Sequence, residues 1–481
     1  MNKVINMNKT VILNFIKKKF SPEKEDLNYL IKNNPKSAIY SLAIPSLISL
    51  IFLNMNGLMN SIWISGLGQN NLAGVGFILS IFTIIIGIGN GLSISTNVML
   101  SSAISKGYDS LTFKIIINSL VITLIMGVFI ALLLVIFLKP ILLILNVGPA
   151  LDPALNYGYI VFGGMFVFFY ASVVPSILKS NGNIKKVTYA MVLTSFLNII
   201  LDPILIYKLN LGVKGAAIAT IFCSVLCCII LSYFIFNKNY KKIKIKSDLK
   251  INLSIIKDLI SFAVPITFES ILLSMIGLIY TVFFNIIGST TDVAIYTIVT
   301  KIQAMAIIPI IAISSSMVSV SAYLSTSSLN LNKIKNIYIY TLKISLILSI
   351  VFWIIIVLLN DIIVNMFTTP ESSVLFKSLL GNCIDIMLFS IIPLSIGLVS
   401  TSIMQGLKFG KISLILSFSR SILLEFIFSL IFVFVFHLRI LGVYYGIIIG
   451  TIIGAIICYI VSKVYVNKFF KKLKELELSK S

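Results

Sequence analysis

Twelve long apolar segments decide what this sequence can fold into. Each contains about 20 or more mostly apolar residues, which is the length a helix needs to cross a bilayer. The segments exceed the length of strands and lack strict alternation, which argues against a transmembrane β-barrel. They cover approximately 38–65, 72–103, 115–138, 157–178, 187–207, 212–236, 259–287, 293–324, 338–359, 378–404, 412–436 and 441–462. The sequence therefore predicts an all-α integral membrane protein with twelve transmembrane helices.

The composition excludes the main soluble classes. Of the 481 residues, 58% are hydrophobic and 11% are charged, and the mean hydropathy is +1.07. Soluble domains contain about 25% charged residues, so a soluble enzyme, a nucleic-acid binder or a disordered scaffold is a poor interpretation. The net charge of +22 resides in short basic clusters between the apolar segments. We therefore expect contact with membrane lipid and no nucleic-acid partner.

The distribution of basic residues predicts the orientation in the membrane. Thirty of the 38 Lys and Arg residues lie in the two termini and the connections after even-numbered helices. Five lie in the connections after odd-numbered helices, and three lie within helices. Because cytoplasmic segments are enriched in Lys and Arg, both termini are predicted to be cytoplasmic in a multi-pass protein of the cell membrane.

An internal repeat predicts two similar halves. The matches pair Ser41–Pro45 with Ser261–Pro265, Gly57 with Gly277, Gly68 with Gly288, Pro175 with Pro393, and Leu211–Val213 with Leu441–Val443, at offsets between 218 and 230. Six helices return the chain to its starting side, so the copies have the same orientation, as in transporters built from parallel repeats. The predicted division is a cytosolic segment 1–36, a six-helix lobe 37–237, a basic linker 238–257, a second six-helix lobe 258–465 and a cytosolic tail 466–481.

Asp202 is the most informative charged residue within an apolar segment. Charges at membrane depth are costly and usually face a cavity or a partner. Asn198 lies one helical turn before Asp202, so the two side chains are expected to share a face. Pro203 cannot donate to the carbonyl oxygen of Ile199, which remains available beside the carboxylate. This combination suits a proton or a small cation such as Na⁺, and the alternative is a proline kink with a partly solvated Asp.

Four other charged residues fall within predicted helices. Glu269 lies one turn after Pro265 and is a candidate for binding the ion or the substrate in the second lobe. Arg420 and Glu425 share one helix at a spacing of five, which is imperfect for a pair within an α-helix, so we expect structural or cavity charges that pair with neighbours. Lys301 is assigned to the same group, since its long side chain can reach the aqueous boundary.

Several stretches resemble the multidrug and toxic compound extrusion (MATE) family. The most specific stretch is Asn198-Ile-Ile-Leu-Asp202-Pro203, followed by Gly212-Val-Lys-Gly215-Ala-Ala. It resembles the family's signature in helices five and six, and Ile177–Asn183 resembles the loop between helices four and five. The resemblance covers about residues 35–465. It implies a V-shaped pair of six-helix lobes that expel organic cations in exchange for Na⁺ or H⁺.

The same resemblance implies roles for particular residues. It assigns Asn198 and Asp202 to a cation or proton site, and Glu269 resembles a helix-seven glutamate of some members. Where the family often has Asp in its first helix, Asn60 stands in this chain. Asn60 can coordinate a cation or hydrogen-bond Asp202, but it cannot take up and release a proton. A relay between two carboxylates in this lobe is therefore not expected.

Three functions remain open at this point. The first is a secondary active exporter that is coupled to Na⁺ or H⁺ and works by alternating access. The second is a flippase for a lipid-linked saccharide from the same wider superfamily, and the third is a membrane enzyme. No phosphate-binding glycine loop, HExxH motif or paired acidic motif occurs in the sequence, which disfavours an enzyme. We expect no cofactor beyond the coupling ion, a small organic cation as substrate, and a monomer.

Overall fold

The computed structural model describes residues 27–236, 251–326, 330–368 and 374–479, which form helices and turns without a β-strand. Ten helices in this part of the chain are long and apolar enough to cross a membrane, and the number is twelve when each of two bent helix pairs is one span. The twelve spans are α1 Pro35–Ser65, α2 Gln69–Ser105, α3 Asp109–Ile144, α4 Leu151–Gly163 with Met165–Ser180, α5 Ile184–Pro203, α6 Val213–Phe236, α7 Leu253–Ile287, α8 Thr290–Ala306 with Ile308–Leu324, α9 Leu331–Leu358, α10 Val374–Phe389 with Ile391–Gly406, α11 Gly410–Phe418 with Glu425–Leu430, and α12 Arg439–Leu478. The twelve-helix prediction is confirmed.

The ends of the predicted segments differ from the structure. Helix α12 continues to Leu478, so most of the predicted tail after residue 465 belongs to this helix. A short helix, Leu27–Asn33, precedes α1. Of the predicted basic linker, residues 238–250 lie outside the described part of the chain, and α7 begins at Leu253.

Helices α4 and α8 are bent, and both bends have local causes. The two parts of α4 meet at 50° next to Gly163 and Gly164, and the two parts of α8 meet at 48° around Ile307. Glycine pairs are common sites of kinks. In α8, Pro309 has no backbone N–H to donate, and its ring crowds the carbonyl group of the preceding turn. The bends divide each span into two shorter helices.

Backbone conformation reveals the repeat more sharply than the residue types do. The turn after α4 places Gly182 at φ 76°, and the turn after α10 places Lys408 at φ 67°. Helix α5 ends in a π-helical turn and then Asn210 at φ 53°, while α11 ends in a π-helical turn and then His437 at φ 53°. Because both pairs of turns recur at offsets of 226 and 227, the two lobes are copies of one fold.

This register corrects two of the sequence matches. A Cβ on Gly215 would lie 2.7 Å from the carbonyl carbon of Leu205, and a Cβ on Gly442 would lie 2.9 Å from that of Phe432. Gly442 is thus the counterpart of Gly215, at an offset of 227, and the pairing of Leu211–Val213 with Leu441–Val443 is wrong. The match of Pro175 with Pro393 is also wrong.

The two prolines lie at different depths in their helices. Pro393 follows closely after the break at Ser390 in α10, whereas Pro175 lies near the end of α4. Local sequence matching misses this shift because turns conserve backbone geometry and not residue type.

Helices α2 and α8 contact each other beside the pseudo-two-fold axis that relates the two lobes. The side chains of Asn97 and Ser319 are hydrogen-bonded at 2.9 Å, and the hydroxyl oxygens of Ser105 and Thr326 are 2.6 Å apart. These partners are about 221 residues apart, which is the offset between the starts of the two lobes. Equivalent residues contact each other only beside the axis that relates two copies, so α2 and α8 flank the pseudo-two-fold axis.

Contacts between the lobes cluster at one end of the molecule, which we call the terminal face because α1 begins there and α12 ends there. Besides the α2–α8 pairs, Lys179 Nζ donates to Ser315 Oγ at 2.9 Å and Ser95 Oγ donates to the carbonyl oxygen of Leu259 at 2.8 Å. At the opposite end, the distal face, the Tyr207 hydroxyl donates to the carbonyl oxygen of Trp63 within one lobe. The lobes are thus joined at the terminal face.

Candidate ion and substrate sites

The Asp202 carboxyl group is fully buried in the N-terminal lobe. Asp202 is 0% exposed and Asn198 is 1% exposed, and Asn198 Nδ2 donates to Asp202 Oδ1 at 3.4 Å. The predicted common face of these two side chains is therefore present. The helix continues through Pro203 into the π-helical turn Ile204–Lys208, so the proline does not end the helix.

Asn60 and Tyr157 belong to the same cluster. Helix α1 packs along α5, and Asn60 is buried at 9% exposure. The side chain of Asn60 and the carboxyl group of Asp202 are both electrostatic neighbours of the Tyr157 hydroxyl. Tyr157, on α4, therefore links the residue on α1 to the carboxylate on α5. We call Asn60, Tyr157, Asn198 and Asp202 the N-lobe cluster.

Three oxygen atoms in the N-lobe cluster lack a hydrogen-bond partner. They are Asn60 Oδ1, Asn198 Oδ1 and Asp202 Oδ2, and each is buried. A buried polar atom without a partner costs free energy, so these oxygens favour a bound species that supplies positive charge. One carboxylate and two amide oxygens are hard ligands suited to a small hard cation such as Na⁺. A proton on Asp202 would satisfy Oδ2 alone.

Glu269 has a complete set of donors in the C-terminal lobe. Its side chain is 5% exposed. Ser417 Oγ donates to Oε1 at 2.6 Å, Ser413 Oγ donates to Oε2 at 2.8 Å, and Gln405 Nε2 donates to Oε2 at 3.2 Å. Hydrogen bonds to a carboxylate favour its ionised form. Glu269 is therefore a buried carboxyl group held by donors from α10 and α11.

Arg420 and Glu425 are both buried in α11, and the helix changes its winding between them. Residues Ser419–Leu424 form a π-helical turn, in which each hydrogen bond spans five residues. The spacing of five, which is imperfect for an α-helix, thus places the two side chains near one face. Arg420 is an electrostatic neighbour of both Glu425 and Glu269. Arg420 Nε donates to Ser421 Oγ and Nη1 has no hydrogen-bond partner, so the expected pairing with neighbouring charges stays a prediction.

The structure separates Lys301 from these buried charges. Its side chain is exposed on the first half of α8. A cavity of about 540 Å³ lies elsewhere, between α7 and the start of α11, and is lined by residues that include Phe262, Pro265, Lys408 and Tyr465. Neither Asp202 nor Glu269 lines it. This cavity is therefore distinct from both carboxylate sites.

Several residues of the two sites carry no distinguishing signal in the sequence. Tyr157 is one of 19 tyrosines and is marked only by lying in an apolar segment. Ser413 and Ser417 are four residues apart, as required to share a helix face, but serine is common in this chain. Gln405 is a neutral side chain at the end of an apolar segment. Tertiary contact alone assigns these residues to the carboxylates.

Twelve spans in two repeated lobes, each with a buried carboxylate, define this protein as a membrane transporter by class. The MatE family model matches residues 45–204 and 265–431, which is more than half of the chain and falls on both repeats. The chain belongs to the MatE family.

Solved structures and curated relatives agree with this assignment. A structure described as an outward-facing conformation of a multidrug resistance MATE family transporter of the MOP superfamily is 27% identical, covers 93% of this chain and 99% of its own, and has a TM-score of 0.87. The multidrug export protein MepA of Staphylococcus aureus (strain bovine RF122 / ET3-1) is 23% identical over 405 residues, which are 83% of this chain and 87% of that protein. An FAD transporter of Shewanella oneidensis is 29% identical over 194 residues, 38% of this chain and 42% of that protein.

Proposed function

We propose that this protein is a secondary active exporter of small organic cations, driven by the entry of Na⁺ or H⁺. The observation that carries the proposal is the N-lobe cluster, in which one carboxylate oxygen and two amide oxygens are buried without partners. Such a site gains most from an exchangeable positive charge. Family membership and the similarity to a multidrug export protein support export as the direction of transport.

Asp202 is the proposed coupling residue. When a cation or proton occupies the N-lobe cluster, the buried charge of Asp202 is compensated. When the ion leaves, the lobe carries an uncompensated charge, which is costly at membrane depth. Because Asn60 does not titrate, the N-lobe cluster holds one carboxylate, and this composition suits Na⁺ coordination at least as well as a proton relay. Glu269 is the proposed contributor of the second lobe, binding the same ion or the positive charge of the substrate.

Alternating access is the proposed mechanism. The lobes are joined at the terminal face by Lys179 and Ser315 and by the pairs between α2 and α8. Rocking the two lobes about a substrate cavity near the midplane would part these contacts and bring the distal ends together. With both termini in the cytoplasm, as the basic residues predict, the structure corresponds to the state that is open to the outside. We expect it to work as a monomer in membrane lipid, without a cofactor other than the coupling ion.

An accumulation assay tests the proposal. Cells that lack their own major exporters would express the wild-type chain, Asp202→Asn or the control Asp152→Asn, whose side chain is exposed near the start of α4. Ethidium retention would be measured with and without Na⁺ and with a protonophore. The wild type and Asp152→Asn should lower ethidium retention only when an ion gradient is present, and Asp202→Asn should retain about as much as cells without the protein. Full gradient-dependent export by Asp202→Asn would contradict the role of Asp202, and Glu269 would then be the candidate coupling residue.

The proposed orientation has its own test. Cysteines introduced at Tyr108, in the turn after α2, and at Asn70, at the start of α2, are exposed at opposite ends of one helix. A membrane-impermeant maleimide added to intact cells should label Asn70→Cys and spare Tyr108→Cys. Labelling with the reverse preference would contradict cytoplasmic termini.

A further inference from the structure

Glu425 occupies, in the C-terminal lobe, the position that Asn198 holds in the N-terminal lobe. The offset of 227 that superposes the π-helical turns of α5 and α11 takes residue 198 to 425 and residue 202 to 429. Between α1 and α7 the offset is 220, which takes residue 60 to 280. The counterpart of Asn60, Asn198 and Asp202 is therefore the set Tyr280, Glu425 and Ser429.

These three residues lie together, as their counterparts do. The hydroxyl oxygens of Tyr280 and Ser429 are 3.4 Å apart, and Glu425 is an electrostatic neighbour of Tyr280. Both lobes thus have a polar cluster at the equivalent place. In the C-terminal lobe the carboxylate lies one helical turn earlier, at Glu425 instead of Ser429. We call Tyr280, Glu425 and Ser429 the C-lobe cluster.

The surroundings of Glu425 are closely packed and contain few polar groups. Its side chain is 7% exposed, and Thr451 Oγ1 on α12 donates to Oε1 at 3.1 Å. Gly450 on α12 leaves so little space that a Cβ there would lie 2.4 Å from the Glu425 Cα. The titratable and charged groups that face it are Tyr280 from α7, Tyr296 from α8 and Arg420 from its own helix.

Arg420 is the buried positive charge near both buried glutamates of this lobe. It is 1% exposed, and its Nη1 has no hydrogen-bond partner. Among the buried charged groups that the structure describes in this lobe, two carboxylates and one guanidinium leave an excess of one negative charge when both glutamates are ionised. An uncompensated buried charge is strongly unfavourable.

We propose that Glu425 is a proton-binding site of the C-terminal lobe, and that it carries a proton in this conformation while Glu269 remains ionised beside Arg420. The number of hydrogen-bond donors distinguishes the two carboxyl groups. Glu269 accepts from Ser413, Ser417 and Gln405, which favours its ionised form, whereas Thr451 is the donor that the structure gives for Glu425. The proton neutralises the excess charge of the lobe.

A proton fits this site better than Na⁺ does. A metal ion needs several oxygen ligands, and here two of the neighbours are tyrosine side chains packed among aromatic rings, with Tyr296 stacked on Phe284 at 4.7 Å between ring centroids. A metal ion at Glu425 would also be repelled by the Arg420 guanidinium. The claim that Glu425 is a second site of ion coupling rests on the proposed export function. The claim that its carboxyl group is protonated does not depend on that function.

Infrared spectroscopy of the purified protein in lipid nanodiscs tests the protonation directly. A protonated carboxyl group absorbs separately from a carboxylate, and incorporation of ¹³C-labelled glutamate identifies the band as glutamic acid. At pH 7, the wild type should show one protonated glutamic acid that Glu425→Gln removes. Asp361→Asn, a change at an exposed carboxylate, should leave the band unchanged. A wild-type spectrum without a protonated glutamic acid, or a band that persists in Glu425→Gln, would overturn the proposal.

The Arg420→Met variant gives a second, independent outcome. Without the guanidinium, both carboxylates of the lobe lose their compensating charge, so Glu269 should also take up a proton and the glutamic acid band should double. An unchanged band in Arg420→Met would contradict the charge balance. If Glu425→Gln does not fold, Glu425→Asp in the labelled protein still decides, because it keeps the carboxyl group but should remove the glutamic acid band. A protein that shows the band without exporting ethidium would refute the proposed function and leave this inference standing.

Discussion

Asn97 on α2 and Ser319 on α8 hydrogen-bond each other across the two lobes, although 222 residues separate them in the chain. Asn97 Nδ2 lies 2.9 Å and Asn97 Oδ1 lies 3.1 Å from Ser319 Oγ. Their separation is close to the offset of 220 between the starts of the two lobes, so this contact lies beside the pseudo-two-fold axis. Two lobes that rock about a cavity near the midplane would open and close such contacts at the terminal face.

A disulfide at the terminal face should stop transport. With the five native cysteines replaced by serine, Ser105→Cys and Thr326→Cys should form a disulfide readily, since their hydroxyl oxygens are 2.6 Å apart. Ethidium export should fall to background after oxidation and return after reduction. Each single cysteine variant is the control and should export under both conditions. Undiminished export by the oxidised pair would argue against rocking of the lobes.

A carboxylate moved to position 60 should partly replace Asp202. Asn60 lies in the same cluster as Asp202, and Tyr157 is an electrostatic neighbour of both. The double variant Asn60→Asp with Asp202→Asn keeps one carboxylate in the cluster, so gradient-dependent export should recover above that of Asp202→Asn alone. Ethidium retention in cells measures the recovery. A double variant that is as inactive as Asp202→Asn would show that the charge must reside on α5.

Ser417 should stabilise the folded protein through Glu269. Its Oγ donates to Glu269 Oε1 at 2.6 Å, and Ser417→Ala leaves that buried oxygen without this donor. Such a loss costs about 1–3 kcal/mol, which should lower the Tm of the purified protein in detergent. Ser274→Ala is the matched control, because its hydroxyl donates only to the carbonyl oxygen of Ser270 in its own helix. Equal Tm values for the two variants would contradict the assigned role.

Glycines of α12 should be required for its packing on α11. A Cβ on Gly446 would lie 2.3 Å from the Ser429 backbone, while a Cβ on Gly76 in α2 would have nothing within 4 Å. Gly446→Ala should therefore destabilise the protein by about 1–3 kcal/mol, as overpacking does. Gly76→Ala should leave the Tm unchanged or raise it, because alanine favours helix. A Tm for Gly446→Ala as high as that for Gly76→Ala would show that α11 and α12 can move apart at no cost.

The features that the sequence determined are those that depend on local composition. The number of spans, the two repeated lobes and the common face of Asn198 and Asp202 follow from apolar length and helical periodicity. The Asp202 carboxylate was identifiable for the same reason, since a charge within an apolar segment is costly and therefore conspicuous.

Only the tertiary structure decided which groups surround each carboxylate. Tyr157 on α4 is an electrostatic neighbour of both Asn60 and Asp202, and the partners of Glu269 come from α10 and α11. The register of the second half of the repeat is set by turns at Asn210 and His437, whose residue types differ but whose backbone angles agree. The π-helical turn that brings Arg420 toward Glu425 depends on close packing against glycines of α12. Contacts between helices far apart in the chain leave no periodic signal in the sequence, because each helix satisfies its own backbone and the contacts arise only when the helices pack.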